Sequence, residues 1–295
     1  VEAALNKLTH ENSSSGNRIE IQLFCESGKS FNSQIASAAE FVNRTIPGVY
    51  VAGYYSPTDE LDPYEFAKKI QSEGSNSGGV VVVAREHPAI NLAIRKLEKE
   101  RVPVVCLTTD LPSSRRSAYV GNDQYAAGSV AAQLVGHALP KKQSAVLLVA
   151  SVPYRCQQER EMGFRRVLRY EFPHLHIVEK ILADEVVDTT HQLVSAHIET
   201  HGAPAAVYNV GGANRGVAQA LGDYGRHGKT ISVGHELNAN SKELLEERTL
   251  DYVILHDVEG ELSTAARWIR DNLAGLQARP ATSQILVHTR YNCQL

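Results

Sequence analysis

The chain has little of what builds metal clusters or disulfide frameworks. Its four cysteines, Cys25, Cys106, Cys156 and Cys293, are scattered with no CxxC pair. Isolated cysteines in strand-like runs behave as small buried apolar groups, and that usage suits a reducing compartment. Positive charge is not in surplus either. Thirty Lys and Arg face 33 Asp and Glu, for a net charge of −3, so no broad basic surface gathers phosphates and the chain alone is not expected to bind nucleic acid strongly. No apolar stretch approaches the roughly 20 residues of a bilayer span, and the start does not read as a signal, so no membrane partner is expected. Asn12-Ser13-Ser14 and Asn43-Arg44-Thr45 fit the glycosylation pattern, but matches this short arise by chance.

Catalytic motifs are missing as well. Gly28-Lys29-Ser30 resembles the end of a phosphate loop, yet the required upstream glycine position is Leu23, and the match fails. Gly211-Gly212-Ala213-Asn214-Arg215-Gly216 is glycine-rich without the GxGxxG spacing; it reads as a tight turn entering a helix. There is no GxSxG elbow and no HExxH. His197 and His201 stand four apart on a predicted helix and share a face. With no third ligand in sight they read as a solvated helical face, and no metal and no cofactor are expected. Nothing groups a nucleophile, a base and an orienting residue, so the chain is not expected to be an enzyme.

What is present is a composition able to build a core, 43% apolar and 21% charged, arranged with a steady beat. Apolar, β-branched runs at 19–24, 49–55, 80–84, 102–107, 145–150, 177–182, 205–209, 230–233 and 252–255 each precede an amphipathic stretch. The helical candidates are 33–45, 63–73, 88–100, 124–139, 157–172, 189–201, 214–224, 241–248 and 260–275. Runs apolar on both faces fit a parallel sheet covered by helices on each side. Nine such units exceed one open sheet, so the pattern predicts an α/β fold of two doubly wound parallel-sheet subdomains. An eight-fold barrel competes, but the insertion 110–122 fits it poorly. The break falls at the short strand Tyr119-Val120-Gly121-Asn122-Asp123, and a lone closing run at 284–289 follows Pro280. Together they predict three crossings, near Asn122, Asp257 and Ala281. The N-terminal subdomain is expected to take 18–121 plus 257–281, and the C-terminal subdomain 122–256 plus 282–295. Residues 1–17 read as a helical remnant, Val1–Leu8, and a polar linker.

An ordered series of weak motifs sits at strand ends and helix starts. It comprises Val120-Gly121-Asn122-Asp123 with Gly128 and Ala131, the RxxGF of Arg160, Gly163 and Phe164, Asn209 through Leu221, Val233-Gly234-His235-Glu236-Leu237, and Ile254-Leu255-His256-Asp257. In that order they resemble the effector-binding core of the LacI/GalR repressors and the related type I periplasmic sugar-binding proteins, over roughly residues 18 to 295. Val1–Leu8 resembles the last helix of the repressor headpiece. Thr9–Asn17 departs from the pattern, with neither the Pro-Asn turn nor the Ala-Arg-rich hinge helix.

The resemblance implies a ligand cleft between the subdomains, outside the carboxyl ends of the strands. It points to Phe31 as a stacking wall, with Asn32 beside it, to Arg85 and Glu86, and to Asp110 as an acceptor for ligand hydroxyls. From the second half it points to Tyr154, Arg160 as a fork of donors, Asn209, Glu236 as an acceptor, and His256. Each has a plainer alternative. Arg160 would pair with Glu159 or Glu161 on its helix, Glu236 would cap the next helix, Asn209 would hold a turn, and Phe31 would be core. The expected ligand is a neutral sugar or polyol. The leading expectation is a cytoplasmic, homodimeric repressor core whose cleft ligand alters operator DNA binding through a headpiece outside this chain. The alternative is an extracytoplasmic sugar-binding protein of a transporter or chemoreceptor.

Overall fold

The computed structural model describes residues 18–142, 144–151, 154–276 and 278–294. The expected remnant and linker in 1–17 lie outside them. The first half runs β1 (Ile19–Ser27), α1 (Lys29–Thr45), β2 (Val49–Pro57), α2 (Pro63–Gly74), β3 (Gly79–Val83), α3 (Pro88–Lys99), β4 (Val104–Leu107), a short 3-10 turn and β5 (Ala118–Val120). The second half runs α4 (Gln124–Ala138), β6 (Ser144–Ser151), α5 (Arg155–Glu171), β7 (Leu175–Ala183), α6 (Val187–His201), β8 (Ala206–Asn209), α7 (Asn214–Asp223), β9 (Ile231–His235), α8 (Ala239–Glu246) and β10 (Tyr252–Leu255). Helix α9 (Val258–Leu273) and β11 (Leu286–His288) close the chain.

Two sheets result, as the alternation predicts. The first is wholly parallel with order β2-β1-β3-β4-β5; the second has order β11-β10-β9-β8-β6-β7, parallel except for antiparallel β11. Strand β3 shows why the runs look continuously apolar. Val81 and Val83 point into one layer with Ile35 and Leu262, and Val80 and Val82 into the other with Phe66 and Ile94. Both faces are therefore dry, and each fully buried side chain of this kind contributes roughly 1.5–3 kcal/mol.

The chain passes between the halves three times. It leaves the first sheet after β5, and Asp123 caps α4 by accepting from the Ala126 amide at 2.9 Å. It returns after β10, where Asp257 caps α9 through the Gly260 amide at 2.8 Å; α9 then packs Leu262, Ala265, Ala266 and Ile269 into the first sheet's core. The stretch between α9 and β11 crosses last, beside the first crossing, with the Ser283 amide donating to the Gly121 carbonyl at 3.1 Å. Aspartate at each helix start accepts from amides that would otherwise lack a partner.

Gly128 and Gly163 have a physical reason. A Cβ on Gly128 would lie 1.8 Å from the Arg160 carbonyl oxygen, and one on Gly163 would lie 2.0 Å from that of Tyr125. Helices α4 and α5 thus meet backbone to backbone at two reciprocal glycines, and the contact fixes Arg160 beside Gln124. Gly128→Ala is expected to force the helices apart and cost about 2 kcal/mol. Urea unfolding is the check, and an unchanged midpoint would mean that the helices separate without penalty.

Candidate ligand-binding cleft

Parallel strands aim their carboxyl ends at one edge, and the two sheets present those edges to each other. Residues at or just after the ends of β1, β4, β7, β8, β9 and β10, with Tyr154 ahead of α5, line the gap between them. The gap holds an inner chamber of about 40 Å³, enough for a water or the hydroxyl end of a ligand. An outer cavity of about 420 Å³ has the size of an ordinary small-molecule site. Phe31, Glu185 and Glu236 line both.

Phe31 sits in the first turn of α1, not in the preceding loop. The sequence places the start of that helix at Ser33, whereas it begins at Lys29 behind Gly28, whose position offers no side-chain cap to announce it. The ring is buried and faces His256 with centroids 6.3 Å apart. Arg160, on the inner face of α5, is buried too. Its Nε donates to Gln124 Oε1 at 2.7 Å and its Nη1 to the Val210 carbonyl at 2.8 Å. Its neighbours Glu159 and Glu161 pair elsewhere, with Arg155 and with Arg165 and Lys180. The guanidinium is thus held as a fixed fork at the chamber wall.

Two carboxyl groups face this donor, and only Glu236 is anticipated from sequence. Glu185, in the turn after β7, accepts from Gln157 Nε2 at 2.5 Å and Ser151 Oγ at 3.2 Å. Burial first, and then the neighbouring Glu185 carboxylate, push the Glu236 carboxyl up to about 8, with Arg160 opposing them. At neutral pH Glu236 keeps its proton and presents both a donor and an acceptor. His235 lies beside it with Tyr208 Oη 2.9 Å from Nε2, and burial holds this imidazole well below its ordinary pKa, so it is neutral. His256 Nδ1 is 2.9 Å from Glu261 Oε2, which fixes the ring at the second crossing.

Backbone strain occurs here too, although it is not confined to this place. Thr108, Glu185 and Glu236 have φ of 61°, 66° and 68°, the left-handed region that non-glycine residues rarely adopt and β-branched threonine least of all. Such conformations cost of order 1–3 kcal/mol each and gather where side chains must be aimed at a ligand.

The other expected residues take different posts. Tyr154 lines the inner chamber and bridges the halves, its hydroxyl donating to the Glu26 carbonyl at 3.0 Å and meeting Thr58 Oγ1. Arg85 forms an ion pair with buried Glu26 behind the wall and donates to the Leu61 carbonyl at 3.2 Å. Burial raises the Glu26 carboxyl while Arg85 opposes the rise. Glu86 is exposed and lines neither cavity. Asp110 is gripped by Arg116, with Nη2 to Oδ2 at 2.6 Å; Thr108 and Thr109 instead supply the hydroxyls at that strand end. Asn32 spends its amide on the Ser27 and Ser56 carbonyls, both at 3.0 Å. Asn209 holds a turn, donating to the Gly212 carbonyl at 2.7 Å and to Asn214 Oδ1 at 2.9 Å.

The halves touch at the rim and at the inner chamber. At the rim Gln34 Nε2 donates to the Leu237 carbonyl at 3.0 Å and Asn238 Nδ2 donates to Ser30 Oγ at 2.8 Å, and beside the inner chamber the buried Cys156 amide donates to Thr109 Oγ1 at 3.3 Å. The cleft is therefore closed. A profile of the periplasmic binding protein domain matches residues 27–277. The chain belongs to that family. No curated protein matches its sequence at a significant level. Among solved structures, this periplasmic binding protein domain is similar to GanP, a glucose-galactose binding protein from Geobacillus stearothermophilus, at 19% identity and TM-score 0.84, over 95% of this chain and 100% of the other. It is also similar to an ABC transporter solute-binding protein from Burkholderia graminis C4D1M in complex with D-arabinose, at 17% identity and TM-score 0.85, over 95% and 98%. A third neighbour is the ABC transporter periplasmic solute-binding protein of Actinobacillus succinogenes 130z with bound D-allose, at 16% identity and TM-score 0.81, over 93% and 99%.

These findings correct the leading expectation. The resemblance to type I periplasmic binding proteins stands, but the regulator identity drawn from the LacI/GalR side of it does not. The repressor function, the operator DNA partner and the cytoplasmic location fall with that identity. The physical reason is that the motifs behind the resemblance build the frame both groups share. Gly128 and Gly163 seat helix on helix, and Asn209 ties a turn.

Proposed function

We propose that this chain is an extracytoplasmic solute-binding protein that captures a neutral monosaccharide or similar polyol and presents it to an ABC transporter. One observation carries the reading. The closed cleft sets a buried ring, Phe31, and a fixed donor fork, Arg160, against two carboxyl groups, Glu185 and Glu236. Sugar hydroxyls need both donors and acceptors, and an apolar ring face covers the C–H surface of a pyranose. The Glu185 carboxyl beside Arg160 offsets its positive charge, which disfavours an anion. Phe31, Tyr154, Arg160, Glu236 and His256 are the proposed contacts carried over from sequence, joined by Gln157, Glu185 and Thr109. Arg85, Asp110, Asn32 and Asn209 are assigned to holding the frame, and Glu86, exposed outside both cavities, is left out of the site. The protein binds and releases its ligand unchanged. Capture needs one chain, so the homodimer expected of a palindrome reader loses its reason.

The test is a thermal-shift screen of the purified protein against aldopentoses, aldohexoses and their ketoses. At about 100 times the dissociation constant, a ligand stabilises by about 2.7 kcal/mol, an upward Tm shift of several degrees. Calorimetry should then give one site per chain, with the sugar recovered intact. No stabilisation by any neutral sugar, alongside stabilisation by an organic acid, would overturn the reading.

A further inference from the structure

Away from the cleft, the His197 and His201 pair acquires a third group in the fold. Strand β7 is the edge strand of the second sheet, and α6 runs back along it. This brings Glu179 of the strand against the two histidines of the helix. The side chains of His197 and Glu179 are hydrogen-bonded, and the rings of His197 and His201 stack with centroids 4.9 Å apart and planes 24° apart. His197 is buried at 5% exposure, which corrects its reading as part of a solvated face; His201 and Glu179 are exposed.

One ligand atom from each of the three lies within 4.8 Å of the other two. A tetrahedral ion with bonds of about 2.0–2.1 Å sets its donors about 3.4 Å apart, so the exposed His201 and Glu179 need move by only about an ångström. Histidines one turn apart on a helix present both rings to one point, and a carboxylate from a neighbouring element completes the set. Two imidazoles and one carboxylate suit zinc and its divalent transition-metal neighbours, not calcium or magnesium, which take oxygen ligands. We propose that Glu179, His197 and His201 form a site for one divalent transition-metal ion, with its remaining position open to water. The ion would tie the edge strand to the helix covering it. Those two elements also flank the turn that carries Glu185, so the clamp would brace one wall of the cleft.

Zinc chloride titrated into protein freed of any histidine tag, followed by calorimetry, tests this. One zinc per chain is expected, with an upward shift in Tm on saturation. Both His201→Ala and Glu179→Gln, made at exposed positions so that folding is kept, should weaken binding at least ten-fold and remove the Tm shift. No zinc binding by the parent protein overturns the site. So does binding of equal affinity in parent and variants, which would place the metal on other histidines. Sugar binding is read separately in the same samples, so failure of the metal site leaves the cleft reading intact.

Discussion

Replacing Arg160 by alanine is expected to weaken sugar binding by about 2–4 kcal/mol, a loss of roughly 30- to 1,000-fold. Arg160 is 5% exposed at the chamber wall, where ligand oxygens deprived of a donor have no water to replace it. The substitution also reaches the fold, because Gln124 Oε1 and the Val210 carbonyl each lose their partner. A destabilisation of about 1–3 kcal/mol should accompany the lost affinity. Arg160→Lys separates the two effects. It keeps the charge but not the planar fork, so affinity should still drop although much of the packing is retained. Calorimetry with the most stabilising sugar of the screen decides the matter, and undiminished affinity in a folded Arg160→Ala protein would take Arg160 out of the site.

Glu236 should make stability fall as pH rises. Its carboxyl has an ordinary value of 4.5 and is raised to about 8 in the folded chain. Between those values the unfolded chain has released the proton that the folded chain still holds. The native state then binds more protons, so unfolding becomes easier with increasing pH. The stability associated with the protonated group is complete below about 4.5 and lost by the time pH has passed 8. Glu236→Gln, which cannot ionise, should match the parent near pH 4 and exceed it by roughly 2–4 kcal/mol near pH 9. Urea denaturation of both proteins at pH 4, 7 and 9 measures the divergence, and parallel profiles would show that Glu236 ionises as freely as in water. Sugar binding should weaken over the same upper range, as Glu236 loses its hydroxyl donor to the ligand.

Much of the frame is readable in the chain because strand and helix periods are so cleanly separated. The run Gly79–Val83 is buried at every position, and such runs alternate with amphipathic helices that Asp62, Asp123 and Asp257 cap. The start of α1 is not readable, because Gly28 supplies no capping side chain, and Phe31 is thereby misplaced into a loop. The cleft is harder to read for a related reason. Which polar residue at a strand end faces the ligand depends on what its neighbours have already claimed. Asp110 is taken by Arg116, Arg85 by Glu26, and Asn209 by the turn it closes. Glu185 carries no motif, since its aim comes from a left-handed backbone conformation in the turn after β7. Arg160 is readable because it stands three residues before a glycine pressed onto another helix, and the same packing positions its head.

The three passages between the halves have a mechanical meaning. A single connector acts as a swivel and lets two bodies twist, slide and bend over a broad range of poses. Three connectors side by side, with the Ser283 amide bound to the Gly121 carbonyl between two of them, remove most of the twisting and sliding. What is left is close to one bending coordinate, like a door on three hinge pins. An open cleft then searches along a line instead of through a volume, and less orientational entropy must be surrendered when the rim contacts of Gln34 and Asn238 engage.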